Sequence, residues 1–454
     1  MKKAVVIMII KIAVVAALLV SLVCLSLIYM SFYRNEESIE FTPEMDAAVR
    51  DKVYRAGYVG LMNETLVSPY FLGYSFGGER VGYLGAGAGE LFAEITGGLS
   101  DLLGPESRFV AANEGAIINA IDGDFIYVRF RFEMPRSIVY YMLNPDKILE
   151  EVGDEYVYDV FIALGRQTYA VIRDMRGNVY FAYPDATLEV NKNTFLPYNE
   201  REDGFAFTFA AENDADAALL STDDKKADGF EILAPFDMTA ESAVIETVDI
   251  LTQERTAHAL TILGLSPEVV TSHENDDGVT YYDEGQNVRI TKNGALNYSA
   301  LSSQYGIGIS DVVGYSFSEN NYTAIDCVGA ALVLADRLGI FKGDAFGYAV
   351  TRAENDGADT VVGISYVYDG FTVVTDDVYA LMIRVTDGKV TSLSASFAKA
   401  HVYAGRTTVT NARWRARLAV VDSTSPIGIS YIQKIRNSRL YLSLAVFDRE
   451  GGDK

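Results

Sequence analysis

Residues 125–143 read FIYVRFRFEMPRSIVYYML, and this stretch decides the fold. From Ile126 to Phe132 apolar and polar residues alternate, which is the pattern of a half-buried β-strand. Pro135 follows, and proline suits the first turn of a helix. We therefore predict a strand that leads directly into a helix ending near Leu143.

Three further strands are predicted after this helix, over 157–164, 170–174 and 179–183, as an antiparallel meander. The turn Arg176-Gly177-Asn178 separates the last two strands. The next stretch, 199–229, is polar and acidic, so we interpret it as a solvated linker with some local strand content and as a domain boundary.

An internal duplication is visible in the order of elements beyond this stretch. Helices are predicted over 253–265 and 325–340, and each ends at a glycine, as a helix C-cap does. An acidic turn, an aromatic alternating strand and a hairpin partner follow each helix. A tight turn, Asn293-Gly294 in the first copy and Asp387-Gly388 in the second, then leads into a third strand. Helices that cover antiparallel sheets predict an α+β fold.

These patterns divide the chain into four parts. We assign 1–34 to a cytoplasmic tip and a transmembrane anchor, and 35–230 to an N-terminal α+β ectodomain. The two copies of the duplication become a middle helix-plus-sheet unit, 231–305, and a C-terminal helix-plus-sheet unit, 306–454. The predicted architecture is a transmembrane helix followed by a multidomain ectodomain of antiparallel sheets, each covered by helices.

The anchor is predicted from an apolar run over 12–33, which follows Lys2, Lys3 and Lys11. Twenty-two residues make about 33 Å of helix, enough to cross a bilayer. The alternatives are a cleaved signal peptide or a lipoprotein site at Cys24. The apolar run is long for a signal peptide, and large side chains stand at its C-terminal end, where a cleavage site would have small ones. Because the lysines precede the run, we expect a cytoplasmic N-terminus and an extracytoplasmic C-terminal domain at the cell membrane.

Small residues recur every four positions inside this run, at Ala13, Ala17 and Ser21. Such a stripe lets a second transmembrane helix approach closely, so these three residues form our candidate partner-binding face. The alternative is chance, since Ala and Ser are common in transmembrane segments. The sequence leaves both interpretations open.

Composition excludes several classes of protein. Beyond residue 34 there are 34 basic and 62 acidic residues, a net charge near −28, which repels nucleic acid and anionic lipid. The chain is 49% hydrophobic, with 29 Tyr and 23 Phe, so it can bury a large core. Its second cysteine, Cys327, has no exported partner, and we predict a small buried core residue there.

Four motifs suggest chemistry at first sight. The pentapeptide Gly73-Tyr74-Ser75-Phe76-Gly77 matches the G-x-S-x-G pattern of a hydrolase nucleophile, but the residues after it are a poor helix start. The glycine-rich segment 85–89 lacks the lysine of a phosphate loop, so we predict a turn or a close backbone approach. The segment 273–284 has the length of a calcium loop, but a hairpin turn fits it better. The adjacent pair Asp376-Asp377 suggests acid–base catalysis, but strand alternation points the two carboxylates to opposite faces, so they cannot act together. With three scattered histidines, the sequence predicts no catalytic, metal or cofactor site.

The chain resembles the YycH family of membrane-anchored regulators, with a C-terminal part similar to the related YycI proteins. The resemblance is carried by the strand–proline–helix segment 125–143 and by the meander with its turn at 176–178. It continues in 277–282, Asp-Gly-Val-Thr-Tyr-Tyr, and in 293–298, Asn-Gly-Ala-Leu-Asn-Tyr. The match extends over the whole length and contains no catalytic signature.

This resemblance implies a non-enzymatic regulator of a two-component sensor histidine kinase of the YycG type, which controls Gram-positive cell-wall homeostasis. It implies contacts of the transmembrane helix and ectodomain with the kinase and with a YycI-like sister protein. A second hypothesis remains, an anchored binding module or serine hydrolase that uses Ser75 on cell-wall or peptide material.

Overall fold

The structure is a computed structural model. All described residues belong to one compact unit, Val53–Lys454. They are 69–144, 152–153, 155–165, 168–184, 195, 197–198, 201, 204–209, 221–222, 225–226, 232–233, 238–248, 250–316, 322–342, 347–356, 359–368, 370–374, 379–409, 427–434 and 439–446.

The first part of this unit is a seven-stranded antiparallel sheet with the strand order β2-β1-β4-β5-β6-β7-β3. Its strands are β1 (Pro69–Phe76), β2 (Glu79–Leu84), β3 (Arg108–Ala112), β4 (Phe125–Pro135), β5 (Tyr156–Ala163), β6 (Tyr169–Arg173) and β7 (Val179–Tyr183). Its helices are α1 (Gly85–Ala93), α2 (Thr96–Leu103), α3 (Glu114–Ile121) and α4 (Arg136–Leu143). The predicted strand–helix segment and meander are therefore confirmed.

Strand β4 differs from the prediction in one respect, because it is buried on both faces. Helices cover the face of Phe130, whose ring packs edge-on against Phe92 of α1. The opposite face carries Tyr127 and Arg129, which are 0% and 1% exposed. The prediction of a half-buried strand was wrong, because polar residues at alternate positions here meet protein and not water.

The stretch 199–229 was predicted as a solvated linker, and its described part contradicts that interpretation. Phe205, Phe207 and Phe209 are buried, and they pack on the rings of Phe71 and Tyr127. Three short strands lie in this stretch, β8 (Thr208–Phe209), β9 (Ser221–Thr222) and β10 (Lys225–Lys226), and β11 (Ile232–Leu233) follows it. The prediction relied on the acidic composition and overlooked three alternate phenylalanines, which pack on the first sheet and cover one of its faces.

The remaining strands form one fourteen-stranded sheet, antiparallel except for one parallel pair, β20 with β24. They are β12 (Met238–Thr247), β13 (Thr271–Asn275), β14 (Gly278–Asp283), β15 (Gln286–Thr291), β16 (Ala295–Ala300), β17 (Ile307–Gly308), β18 (Gly347–Asp356), β19 (Asp359–Tyr368), β20 (Phe371–Val374), β21 (Leu381–Thr386), β22 (Lys389–Ser396), β23 (Ala398–Val409), β24 (Ile427–Lys434) and β25 (Arg439–Val446). Its helices are α5 (Gln253–Ile262), α6 (Ile309–Val313) and α7 (Ala324–Leu338), with 3₁₀ turns at Ser303–Tyr305 and Ile340–Lys342.

The duplication is visible in these elements. Each copy contributes a helix and four strands, α5 with β13 to β16 and α7 with β18, β19, β21 and β22. Gly264 and Gly339 end the two helices, both with a φ of 78°. This left-handed conformation favours glycine, as the C-cap prediction requires.

The two copies meet edge to edge, since β16 pairs with β22 and Tyr298 lies opposite Leu393. Counting outward from this pair, each copy has the same strands in the same order. One row of paired residues crosses the sheet as Ser272, Tyr281, Val288, Tyr298, Leu393, Ile383, Val362 and Ala353. An approximate two-fold axis therefore passes between Tyr298 and Leu393, and strands from 231–305 and 306–454 share one sheet.

The predicted anchor, residues 12–33, lies outside the described residues. Within the described part of the chain, none of the helices combines the length and the apolar character that a membrane crossing requires. The anchor stays a prediction from the sequence.

We expect Leu393→Ala to lower the free energy of unfolding by about 2–5 kcal/mol, because the side chain is 1% exposed at the axis that joins the two copies. Urea denaturation of the purified protein measures this change. Asn297→Ala, an exposed position on the facing strand, is the control and should change it by less than about 0.5 kcal/mol. A loss below about 1 kcal/mol for Leu393→Ala would contradict the packing described here.

Candidate functional site

The G-x-S-x-G match lies in a β-hairpin. Gly73 and Ser75 belong to β1, and Gly77 and Gly78 form the turn into β2 with φ values of 62° and 87°. Ser75 pairs with Phe125 and Arg80 on the neighbouring strands and is 4% exposed. A nucleophile elbow needs a helix directly after the serine, and a strand comes next here.

The glycine-rich segment 85–89 forms the start of α1, so the prediction of a turn was wrong. Glycine disfavours helices by about 1 kcal/mol per residue. This helix is held by its packing instead, because Ala88 and Leu91 are fully buried and α1 lies against β1. Burial of one face outweighs weak intrinsic propensity.

The segment 273–284 forms the hairpin of β13 and β14, as predicted. The side-chain oxygen of Asn275 accepts hydrogen bonds from the backbone N–H groups of Asp277 and Gly278, at 3.0 Å each. Two extended strands leave this turn, so the acidic groups diverge. Among the described residues no group of three His, Cys, Asp or Glu side chains is placed to hold a metal ion.

A buried charge cluster lies at the centre of the first sheet, on three adjacent strands. Asp159 of β5 is 0% exposed, and its carboxylate accepts hydrogen bonds from Arg129 of β4 and Arg173 of β6. The Nε–oxygen distances are 2.8 Å to Arg129 and 2.9 Å to Arg173. The Tyr127 hydroxyl donates a third bond to the same carboxylate at 2.8 Å. The cluster thus ties β4, β5 and β6 together by side chains as well as backbone.

Physical chemistry makes this cluster a constraint on the fold. Desolvating a carboxylate costs several kcal/mol, which is recovered only with well-placed partners. Burial raises the pKa of the Tyr127 hydroxyl well above its ordinary value, so this group is a neutral hydrogen-bond donor at physiological pH. The cluster contains no exposed nucleophile, and its geometry fits a structural role that holds the three strands together.

A second arginine of β4 connects the two sheets. The guanidinium of Arg131 donates to the carbonyl oxygen of Gly370 and, at 3.1 Å, to the hydroxyl of Thr372 on β20. Arg131 is 6% exposed, and β4 lies against β18 beside this contact. Burial lowers the pKa of Arg131 to about 10, so the side chain remains charged at neutral pH.

We name Arg131, Gly370 and Thr372 the arginine joint, and regard it as the candidate functional site. Arg129 and Arg131 lie two residues apart on one face of β4. Arg129 pairs with Asp159 inside the first sheet, and Arg131 donates hydrogen bonds to the second sheet. The same strand is therefore bonded to both sheets. The arrangement supports mechanical coupling between two surfaces, and its groups are not arranged for bond-making chemistry.

Sequence reasoning missed the joint, because alternation assigned the arginines to solvent. One signal was present in the sequence, since β4 interleaves Arg129 and Arg131 with Phe130 and other large apolar residues. An arginine that is buried among such residues needs a paired partner. The partners in β5, β6 and β20 are distant in sequence and have no local signature.

The other predicted residues are placed as follows. Ala13, Ala17 and Ser21 lie outside the described residues, so the candidate partner-binding face stays a prediction. Asp376 and Asp377 also lie outside them. Cys327 is 2% exposed in α7, which confirms the predicted core cysteine.

The fold is similar to one solved structure, YycH from Bacillus subtilis, with a TM-score of 0.55. The similarity covers 86% of this chain and 95% of that chain at 10% sequence identity. No protein-family profile matches the chain, and no curated protein sequence matches it. The comparison therefore shows a YycH-like fold, as the resemblance in the sequence led us to expect.

Arg131→Met should lower the free energy of unfolding by about 2–3 kcal/mol, because both hydrogen bonds of a buried charged donor are lost. Amide hydrogen exchange should become faster in β20 and stay unchanged in β13 to β16, far from the joint. Arg108→Met, an exposed arginine of the first sheet, is the control. Equal exchange in β20 for both variants would show that the joint does not couple the sheets.

Cys327 should resist thiol reagents in the native protein, because burial raises the pKa of its thiol to about 12 and only a thiolate reacts readily. In a Cys24→Ser background, a maleimide should label the chain only after denaturation in guanidinium chloride. Complete labelling of the native protein at about pH 8 would contradict the burial of this side chain.

Proposed function

We propose that this chain is a non-enzymatic, membrane-anchored extracytoplasmic regulator of a two-component sensor histidine kinase that controls cell-wall homeostasis. One observation carries the proposal, the YycH-like fold over 86% of the chain. The resemblance in the sequence, spread from residues 125–143 to 293–298, supports the same assignment.

The described part of the chain agrees with a protein that acts by contact. The buried charges of Asp159 and Arg129 are engaged with one another, and the arginine joint connects two sheets. The hydrolase alternative depends on Ser75, which lies within a strand of a hairpin. We therefore favour a role in binding over a role in catalysis.

The proposed partners are the kinase and a YycI-like sister protein, both at the cell membrane. The apolar run 12–33 would anchor the chain with its N-terminus in the cytoplasm, and the acidic remainder would lie outside. Regulation requires that the chain bind one conformation of the kinase more tightly than the other, since it can shift the kinase only by that difference. The arginine joint would keep the two sheets in a fixed relation during such contacts.

The double variant Ala17→Leu, Ser21→Leu should reduce both kinase co-purification and the expression of kinase target genes, because leucine prevents close approach of a second helix. We expect a reduction of about five-fold or more, equivalent to about 1 kcal/mol of helix association.

The matched control is Val15→Leu, Leu19→Phe, which adds bulk on the opposite face of the same predicted helix. It should leave co-purification and target-gene expression unchanged. If both double variants behave as the unaltered chain does, the stripe at Ala13, Ala17 and Ser21 is not a contact face.

A further inference from the structure

Large apolar side chains are exposed together at one end of the first copy of the duplication. Val269, Tyr282, Leu301 and Tyr305 are 77%, 47%, 83% and 36% exposed. The pairing places them near one another, since Tyr282 lies opposite Thr271, two residues after Val269. The N–H of Leu301 donates to the carbonyl of Gly285 at 2.8 Å, and the ring of Tyr305 lies over the same glycine. We call these four residues the outer apolar patch.

The approximate two-fold axis shows what such positions do in the second copy. Counting from the paired residues at the axis, Leu301 corresponds to Ser396, which is 8% exposed. By the same count, Val269 is equivalent to the position of Ala349 and Val350 in the second copy, and these two residues are 1% and 3% exposed. In the second copy these positions are covered by the rest of the chain, and in the first copy they face solvent.

The strand beside the patch is also open. All five residues of β13 are exposed, and β13 ends the order of the fourteen-stranded sheet as the structure describes it. Its counterpart in the second copy, β18, lies against β4 of the first sheet. The two equivalent edges of the sheet therefore differ: the first sheet covers the β18 edge, and the β13 edge is exposed. An open edge has free backbone groups that can pair with another strand.

The electrostatics of the open edge restrict what can bind there. Glu268, Glu274 and Glu284 are exposed and, within the described residues, lie beyond ion-pair distance of any basic group. Asp277 is 3.8 Å from Arg289, an exposed pair of little energetic value. Glu268 and Glu284 thus stand beside the apolar patch, and Glu274 lies further along β13, so a partner at this edge would need basic groups beside its apolar segment.

We propose that β13 and the outer apolar patch dock an extracytoplasmic protein that presents an extended apolar segment flanked by lysine or arginine. The segment would extend the sheet beyond β13 by backbone hydrogen bonds and cover Val269 beside it, and an apolar part of the same protein that continues past the β14–β15 turn would cover Leu301. A second copy of this chain is disfavoured, because two acidic edges would face each other. Anionic lipid is disfavoured for the same electrostatic reason.

This inference rests on the proposed function for its candidate partners, the sensor kinase and the sister protein. The test uses the full-length chain in its native membrane, solubilised in mild detergent, with both proteins quantified by immunoblot after affinity purification. Val269→Ser, Leu301→Ser should reduce the retained amount of one of the two by about ten-fold or more. The control Ile118→Ser alters an exposed apolar residue outside the patch, 59% exposed on α3, and should retain both proteins.

Charge reversal supplies a second variant that leaves the apolar side chains in place. Glu274→Lys, Glu284→Lys should weaken retention of the same protein at low salt, while Glu79→Lys, Glu106→Lys, on β2 and in the loop before β3, should not. All four glutamates are exposed, so the unfolding transitions of these variants should match that of the unaltered chain.

The outcomes separate the two proposals. If the unaltered chain retains the kinase or the sister protein and both patch variants retain it equally, the docking surface is wrong and the proposed function stands. If the unaltered chain retains neither, the proposed function fails, and the docking proposal fails with it. If sedimentation shows a dimer of the unaltered chain that Leu301→Ser dissociates, or if the chain binds phosphatidylglycerol vesicles through this patch, a basic protein partner is excluded as the occupant.

Discussion

The described fold depends most on the hydrogen bonds and ion pairs that the buried carboxylate of Asp159 makes. It lies in the middle of a sheet whose central strand is buried on both faces, where an unpaired charge would cost several kcal/mol. Arg129 and Arg173 satisfy it from the two neighbouring strands, and Tyr127 adds a neutral donor. Because all four groups need the same register, the cluster penalises any slip of one strand against the next.

The same strand extends this constraint to the rest of the molecule. Arg131 follows Arg129 on one face of β4 and reaches the Gly370 carbonyl and the Thr372 hydroxyl, more than two hundred residues later in the chain. One strand thus belongs to the core of the first sheet and to the contact with the second. The second sheet is built from two copies of one unit, joined where Tyr298 faces Leu393. The first sheet covers the edge of only one copy, and this asymmetry leaves the other edge open.

Much of the local structure was predictable, because it depends on residues that are close in sequence. The alternation and proline of 125–143 predicted strand and helix correctly, and the glycines at 264 and 339 marked two helix ends. The prediction failed where burial overrides local preference, as in the glycine-rich start of α1 and in Phe205, Phe207 and Phe209. Those phenylalanines lie in an acidic stretch, so composition favoured a linker although the aromatic rings close the core.

The sequence alone determined the α+β class, the order of elements, the hairpin turns and the duplication, because periodicity and turn chemistry act over a few residues. Its charge and its three scattered histidines also argued against a nucleic-acid partner and a zinc site. Only the tertiary structure decided which groups meet Arg129 and Arg131, that the two copies share one sheet, and that β14 is the only described strand that pairs with β13. Those features depend on pairings between residues far apart in the chain, and a local pattern contains no record of the distant partner.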